Sequence, residues 1–145
     1  MLDFARQAVS PFADRMHLVT GIIDQAPAGP FDGATCFFVL HFLERSERLR
    51  TLREIRRRLR SGARLVMAHH APPKEHAESW MARSVAFGAD GRADSVSALA
   101  AGRLMTERLQ LLTPHEEEEL LRASGFVEVE LFYAALSFRG WVASA

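Results

Sequence analysis

Lysine is nearly missing from this chain of 145 residues: Lys74 is the only one, and every other basic side chain is arginine. Cysteine is as scarce. Cys36 stands alone inside an apolar stretch, so no internal disulfide framework is available, and the residue reads as a small buried core side chain in a reducing compartment. No apolar run approaches the roughly 20 residues needed to cross a bilayer. The opening Met1-Leu2-Asp3-Phe4-Ala5-Arg6 has neither a basic stretch nor an apolar one of the secretory kind. A soluble, cytoplasmic protein without a membrane partner is the expectation. Excess charge is also lacking: 18 basic residues balance 18 acidic ones, which excludes a global field directed at nucleic acid. There is no internal repeat. There is also no glycine-rich fingerprint between a strand and a helix, because none of Gly21, Gly29, Gly33 or Gly62 opens such a turn.

What remains is an ordinary globular composition, 48% hydrophobic and 25% charged, long enough for one domain with a real core. Residues 3–10 have a helical apolar side of Phe4, Ala5, Ala8 and Val9. Met16–Thr20 reads as a short strand ended by Gly21, and Pro27, Gly29 and Pro30 force a loop. Residues 33–40 form an apolar strand, of the sort covered by helices on both faces. From Ser46 to Arg60, Leu49, Leu52, Ile55 and Leu59 share one helix face, with Ser46 placed as N-cap and Gly62 beyond the C-terminus. Arg64–Ala68 is the next strand, stopped by Pro72-Pro73. This strand–helix–strand crossover builds a parallel sheet.

Residues 74–112 are less regular: a helix with Trp80, Met81 and Phe87, a Gly88–Gly91 turn, then alanine- and leucine-rich helix. They read as an insertion across the mouth of the sheet. Thr113-Pro114-His115-Glu116 is a clear helix start, with capping threonine, N1 proline and capping-box glutamate in order. Gly125 ends that helix. Phe126–Tyr133 alternates, Val127, Val129 and Leu131 against Glu128 and Glu130, and Ser137–Ala143 returns antiparallel.

Phe31-Asp32 opening a strand, Leu40-His41 at its edge, and Leu59-Arg60-Ser61-Gly62-Ala63 entering the next resemble the second half of a class I S-adenosylmethionine (SAM) dependent methyltransferase. The resemblance covers essentially the whole chain. Within the superfamily, Leu40–Arg48 and Gly125-Phe126 … Phe132–Phe138 look like the carboxy-SAM synthase branch, which acts in tRNA wobble-uridine modification. The fold implied is α/β: a partial Rossmann-like sheet lacking the first two strands, with a helical insertion at 74–112 and a C-terminal antiparallel hairpin. Met1–Ala5 would match the helix after the second strand of complete members. The glycine loop and ribose-binding acid would then lie upstream, making this chain a fragment or a natural short form.

The resemblance also assigns candidate residues. Gly21, Ile22 and Ile23 stand where relatives place a Gly-Asp pair that reads the adenine amino group; with Ile22 in place of the acid, apolar and backbone contact remains, or simple core packing. Phe37 and Phe38 fall at a SAM contact or in the core. Arg103 falls where the synthase branch holds the extra carboxylate of its product, or faces solvent. His41 and His70 follow the carboxyl ends of the strands, where α/β sheets put ligands, and could accept a proton from a nucleophile or merely cap an apolar edge. His69-His70 with His76 could suggest a metal, but adjacent histidines diverge and nothing completes the set, so no metal is assigned. Arg50, Arg53, Arg57 and Arg60 read as a solvated face beside Glu44, Glu47 and Glu54, with no stacking aromatics for tRNA.

The function implied is transfer of a methyl or SAM-derived group to a small polar acceptor, with SAM as cofactor and weak or lost binding in this chain. The rival is a non-catalytic remnant that forms a homodimer or binds another protein through open strand edges.

Overall fold

The computed structural model describes residues 2–90, 92 and 94–145. Met1 and Gly91, to which the sequence reading extends, lie outside them. Four strands form one sheet in the order β1-β2-β4-β3. β1 (Phe31–Phe37) runs parallel to β2 (Leu59–His70), with Phe37 opposite Ala68. The crossover between them is helix α2 (Arg45–Arg58). β4 (Phe138–Ser144) lies antiparallel to β2 and pairs His70 with Phe138, and β3 (Val127–Ala135) forms the outer edge. The expected adjacency of the 33–40 strand, the 64–68 strand and the terminal hairpin is therefore met.

Leu52 and Ile55 of α2 and Leu120 and Leu121 of α5 (Pro114–Ala123) are buried in one core with Leu65 and Met67 of β2 and Trp141 of β4. α5 begins as its sequence dictates: Thr113 Oγ1 accepts the Glu116 N–H at 3.3 Å, and Glu116 Oε2 accepts the Thr113 N–H at 2.8 Å. Between β2 and α5, α3 (Ala77–Gly88) and α4 (Ser95–Arg108) pack on each other. A Cβ on Gly102 of α4 would stand 2.5 Å from the Ala82 nitrogen of α3, so only glycine permits this approach.

Several boundaries differ from those expected, each for a physical reason. Met16–Thr20 forms no strand, and its side chains are exposed. β1 bonds β2 on one side only, and within the described residues no strand lies beside 16–20 to receive its backbone groups. Helix α1 (Leu2–Val9) packs its expected apolar side against little, leaving Phe4 exposed. α2 starts at Arg45, with Glu44 in place of Ser46 as its N-cap and no side-chain cap. Gly62 has the expected left-handed φ, +78°, but it does not cap α2, whose C-cap is Leu59; it lies inside β2, where the register with β1 shifts. The alternation of β3 also fails as a guide to burial. Glu128 has φ +49° at an irregularity between Val127 and Glu130, so of the three expected inward residues only Val129 packs on the core.

Candidate functional site

Both parallel strands end at the same edge of the sheet, and the chain leaves β1 through a backbone reversal. Phe38 has φ +58°, while its N–H still bonds the Ala68 carbonyl at 2.8 Å. This left-handed residue separates two neighbouring aromatics. Phe37 faces a groove beside β1, and Phe38 faces a pocket beyond the strand ends.

The pocket, of about 600 Å³, is walled by Phe38, His41, Phe42, His70 and Phe138, with Leu104, Met105, Arg108 and Leu109 closing it from α4 and its exit. Phe138 stacks on His70 with ring centres 4.2 Å apart, and Phe38 meets Phe138 edge-on at 5.6 Å. The His41 and His70 rings lie 5.2 Å apart. Burial pushes each imidazole down to about 4, assisted by neighbouring histidines and, for His41, by Arg48, so both rings are neutral near pH 7. His41 Nδ1 accepts the backbone N–H of His70 at 3.3 Å, which leaves the proton of a neutral ring on Nε2.

Behind these rings lies a buried charge network. The Arg48 guanidinium donates to the Glu117 carboxylate and, at 2.5 Å, to the Gln110 carbonyl, and His69 Nε2 lies 2.9 Å from Glu117. The Gln110 N–H in turn donates to the His41 carbonyl at 2.9 Å. The ion pair thus fastens the segment carrying His41 to α2 and α5. Burial lowers the Arg48 pKa, against the opposing pull of Glu117. Cys36 is the inert core residue expected, its thiol pushed up to about 11 by burial and then by Glu117.

Gly21, Ile22, Ile23 and Phe37 line the second cavity, a groove of about 860 Å³ along β1, with Val19, Thr35 and Val39. The structure thus brings four cofactor candidates together there and places Phe38 with His41 and His70. Arg103 joins neither group. It is 71% exposed on α4 and bonded to Glu107 at 3.0 Å, whereas Arg108, five residues on, reaches the pocket. The arginine stripe of α2 is charge-paired, Arg50 with Asp24 and Glu47 and Arg57 with Glu54. No group of three potential metal ligands occurs among the described residues.

Arg108, Phe138, Ser84 and Ser137 were missed by sequence reasoning, since tertiary folding alone brings them to the strand ends. Arg48 and Glu117 left a signal. Arg48 precedes Leu52 and Ile55 by four and seven residues, and Glu117 precedes Leu120 and Leu121 by three and four, which puts a charge on a buried face.

The architecture has known counterparts. Similar structures include an O-methyltransferase family 2 protein from Planctomyces limnophilus in complex with apigenin (TM-score 0.68, 16% identity, 99% of this chain and 39% of that one). The pyocyanin biosynthetic protein PhzM has a TM-score of 0.69 at 21% identity, over 99% and 39%. Human N-acetylserotonin methyltransferase in complex with SAM has a TM-score of 0.58 at 15% identity, over 94% and 37%. The fold is the class I methyltransferase fold. A family model described as a methyltransferase domain matches residues 1–67 of it. No curated protein sequence matches the chain. The chain spans about two fifths of the length of the methyltransferase structures it resembles. No helix among the described residues is long and apolar enough to cross a membrane.

At Gly21, Ile22, Ile23 and Phe37 the groove presents apolar side chains and backbone, and Gly21 is the only glycine among the described residues that line it.

Proposed function

We propose that this chain carries the acceptor site and the adenine-side wall of a SAM-dependent methyltransferase, with a flat hydroxylated aromatic as acceptor. The observation that supports this most is the pocket itself. Three phenylalanines and two neutral imidazoles surround it at the carboxyl ends of parallel strands, where open α/β sheets bind ligands. Aromatic walls suit a planar ring, and the neutral His70 can take the proton of its hydroxyl while His41 donates from Nε2. SAM, when bound, supplies the methyl group. The protein's own residues align the acceptor, remove its proton and exclude water, and the helices at 74–112 act as the lid. The carboxy-SAM synthase variant would need Arg103 to hold a carboxylate, and its pairing with Glu107 at the surface lends no support.

In a test with methyl-labelled SAM at millimolar concentration and apigenin as acceptor, slow labelling is expected. His70→Phe should reduce it by roughly 10²-fold or more, the range of general-base catalysis. A folded chain that transfers no label, or one whose rate ignores both His41→Phe and His70→Phe, overturns the assignment.

A second reading, self-association, has its own support. Leu18, Val19, Ile22, Phe31 and Phe37 are exposed along the groove beside the open edge of β1. Such an edge is a template for pairing with another strand.

A further inference from the structure

His70 is tied to a chain of hydroxyls that the methyl-transfer reading does not use. Its Nδ1 lies 2.7 Å from Ser137 Oγ, and Ser137 Oγ lies 2.5 Å from Ser84 Oγ. Ser84 Oγ is also 3.1 Å from the Trp80 carbonyl, one helical turn back along α3, and 3.2 Å from the backbone N–H of Ser137. Ser137 is fully buried and Ser84 nearly so, so water does not complete these bonds.

Proton positions follow from the donors and acceptors. A carbonyl only accepts, so the Ser84 hydroxyl proton goes to Trp80. Ser84 Oγ keeps two lone pairs, one for the Ser137 N–H and one for the Ser137 hydroxyl. Ser137, having spent its only proton on Ser84, must then accept from His70, which places a hydrogen on Nδ1. The reverse order, with Ser84 donating to Ser137 and Ser137 to His70, sets the Ser84 and Trp80 oxygens 3.1 Å apart with no proton between them. That contact is unfavourable at a site where Ser137 is fully buried and Ser84 nearly so. His70 Nε2 has no partner among the described residues, and it is not among the buried unpartnered atoms, so it is open to the pocket that the ring lines.

We infer that Ser137, backed by Ser84, is a positioning residue that holds His70 as the Nδ1–H tautomer and presents a bare Nε2 to the pocket. His41 is held the opposite way, by the His70 backbone N–H, and presents Nε2–H. One wall therefore carries an acceptor and a donor side by side. A hydroxyl on the bound ring gives its proton to His70 Nε2 and keeps the electron pair on oxygen, where the His41 Nε2–H can bond it. The resulting imidazolium retains its Nδ1–H bond to Ser137. The use of this tautomer in catalysis rests on the methyl-transfer reading; the tautomer itself does not.

Long-range proton–nitrogen correlation spectra of the ¹⁵N-histidine-labelled chain near neutral pH, with His70 assigned by loss of its signals in His70→Gln, test the inference without substrate. The wild type is expected to show His70 protonated on Nδ1 and bare on Nε2. Ser137→Ala should shift the population to Nε2–H, and Ser137→Thr should restore it. If Ser137→Ala does not fold, Ser84→Ala reads the same point, because a Ser137 hydroxyl freed from Ser84 turns its proton to Nδ1. A wild-type His70 carrying Nε2–H, or a tautomer unmoved by the variant that folds, overturns the inference. Absent methyl transfer with the expected tautomer would count against the proposed function alone.

Discussion

Replacing Glu117 by alanine is expected to lower the melting temperature by on the order of 10 °C. The carboxylate and the Arg48 guanidinium are both fully buried, and Glu117 is the only buried acid among the described residues. Removing one partner of a buried ion pair leaves the other uncompensated, at a cost of roughly 3–5 kcal/mol. In a domain of this size each kcal/mol shifts the midpoint by about 2–4 °C. The double variant Arg48→Met, Glu117→Leu should recover most of the loss, because well-packed apolar groups replace both charges. Thermal unfolding followed by circular dichroism checks both. A Glu117→Ala protein that melts with the wild type would mean that the pair is not buried as described. The consequence reaches the site, since Arg48 holds Gln110 and Gln110 holds the main chain at His41.

SAM affinity in the 145-residue chain by itself should be about millimolar or weaker. A site of micromolar affinity corresponds to about 8 kcal/mol of binding free energy. Charge-assisted hydrogen bonds contribute roughly 1.5–3 kcal/mol each. Without a glycine loop and a ribose-binding acid, about three of them are lost, which leaves roughly 4 kcal/mol or less. Around Gly21–Ile23 and Phe37 the groove along β1 offers apolar and backbone surface, and the Arg50 and Glu47 side chains that also line it are paired with each other. Isothermal titration with S-adenosylhomocysteine should therefore give no saturable heat at micromolar concentrations. A micromolar complex would show that other residues of this chain replace those bonds.

The crossover 31–70, the α5 start and the terminal hairpin were legible because each rests on local chemistry: an apolar strand, a 3.6-residue stripe, a capping box. Met16–Thr20 was misread for the complementary reason. Its run of apolar residues is real, but a strand exists only through a neighbour, and β1 bonds on one side only. β3 shows the same limit, since the irregularity at Glu128 changes which side chains face inward without altering the sequence pattern. In the site, His41 and His70 could be found because strand ends are recognisable in sequence. Arg103 was placed by resemblance alone, and it lies on the exposed face of α4 while its neighbours Leu104 and Met105, and Arg108, line the pocket. Ser137 and Ser84 lie 53 residues apart, and only folding gives them a common hydrogen bond.

The proposed division of labour along β1, adenine on the Phe37 side and acceptor on the Phe38 side, is tested most directly by mapping ligand-induced shifts in a proton–nitrogen spectrum of the labelled chain. Millimolar S-adenosylhomocysteine should move the amides of Gly21, Ile22, Ile23 and Phe37, while apigenin should move those of Phe38, His41, His70 and Phe138. Shifts from S-adenosylhomocysteine confined to other surfaces, or none up to its solubility limit, would contradict a methyltransferase site in this groove.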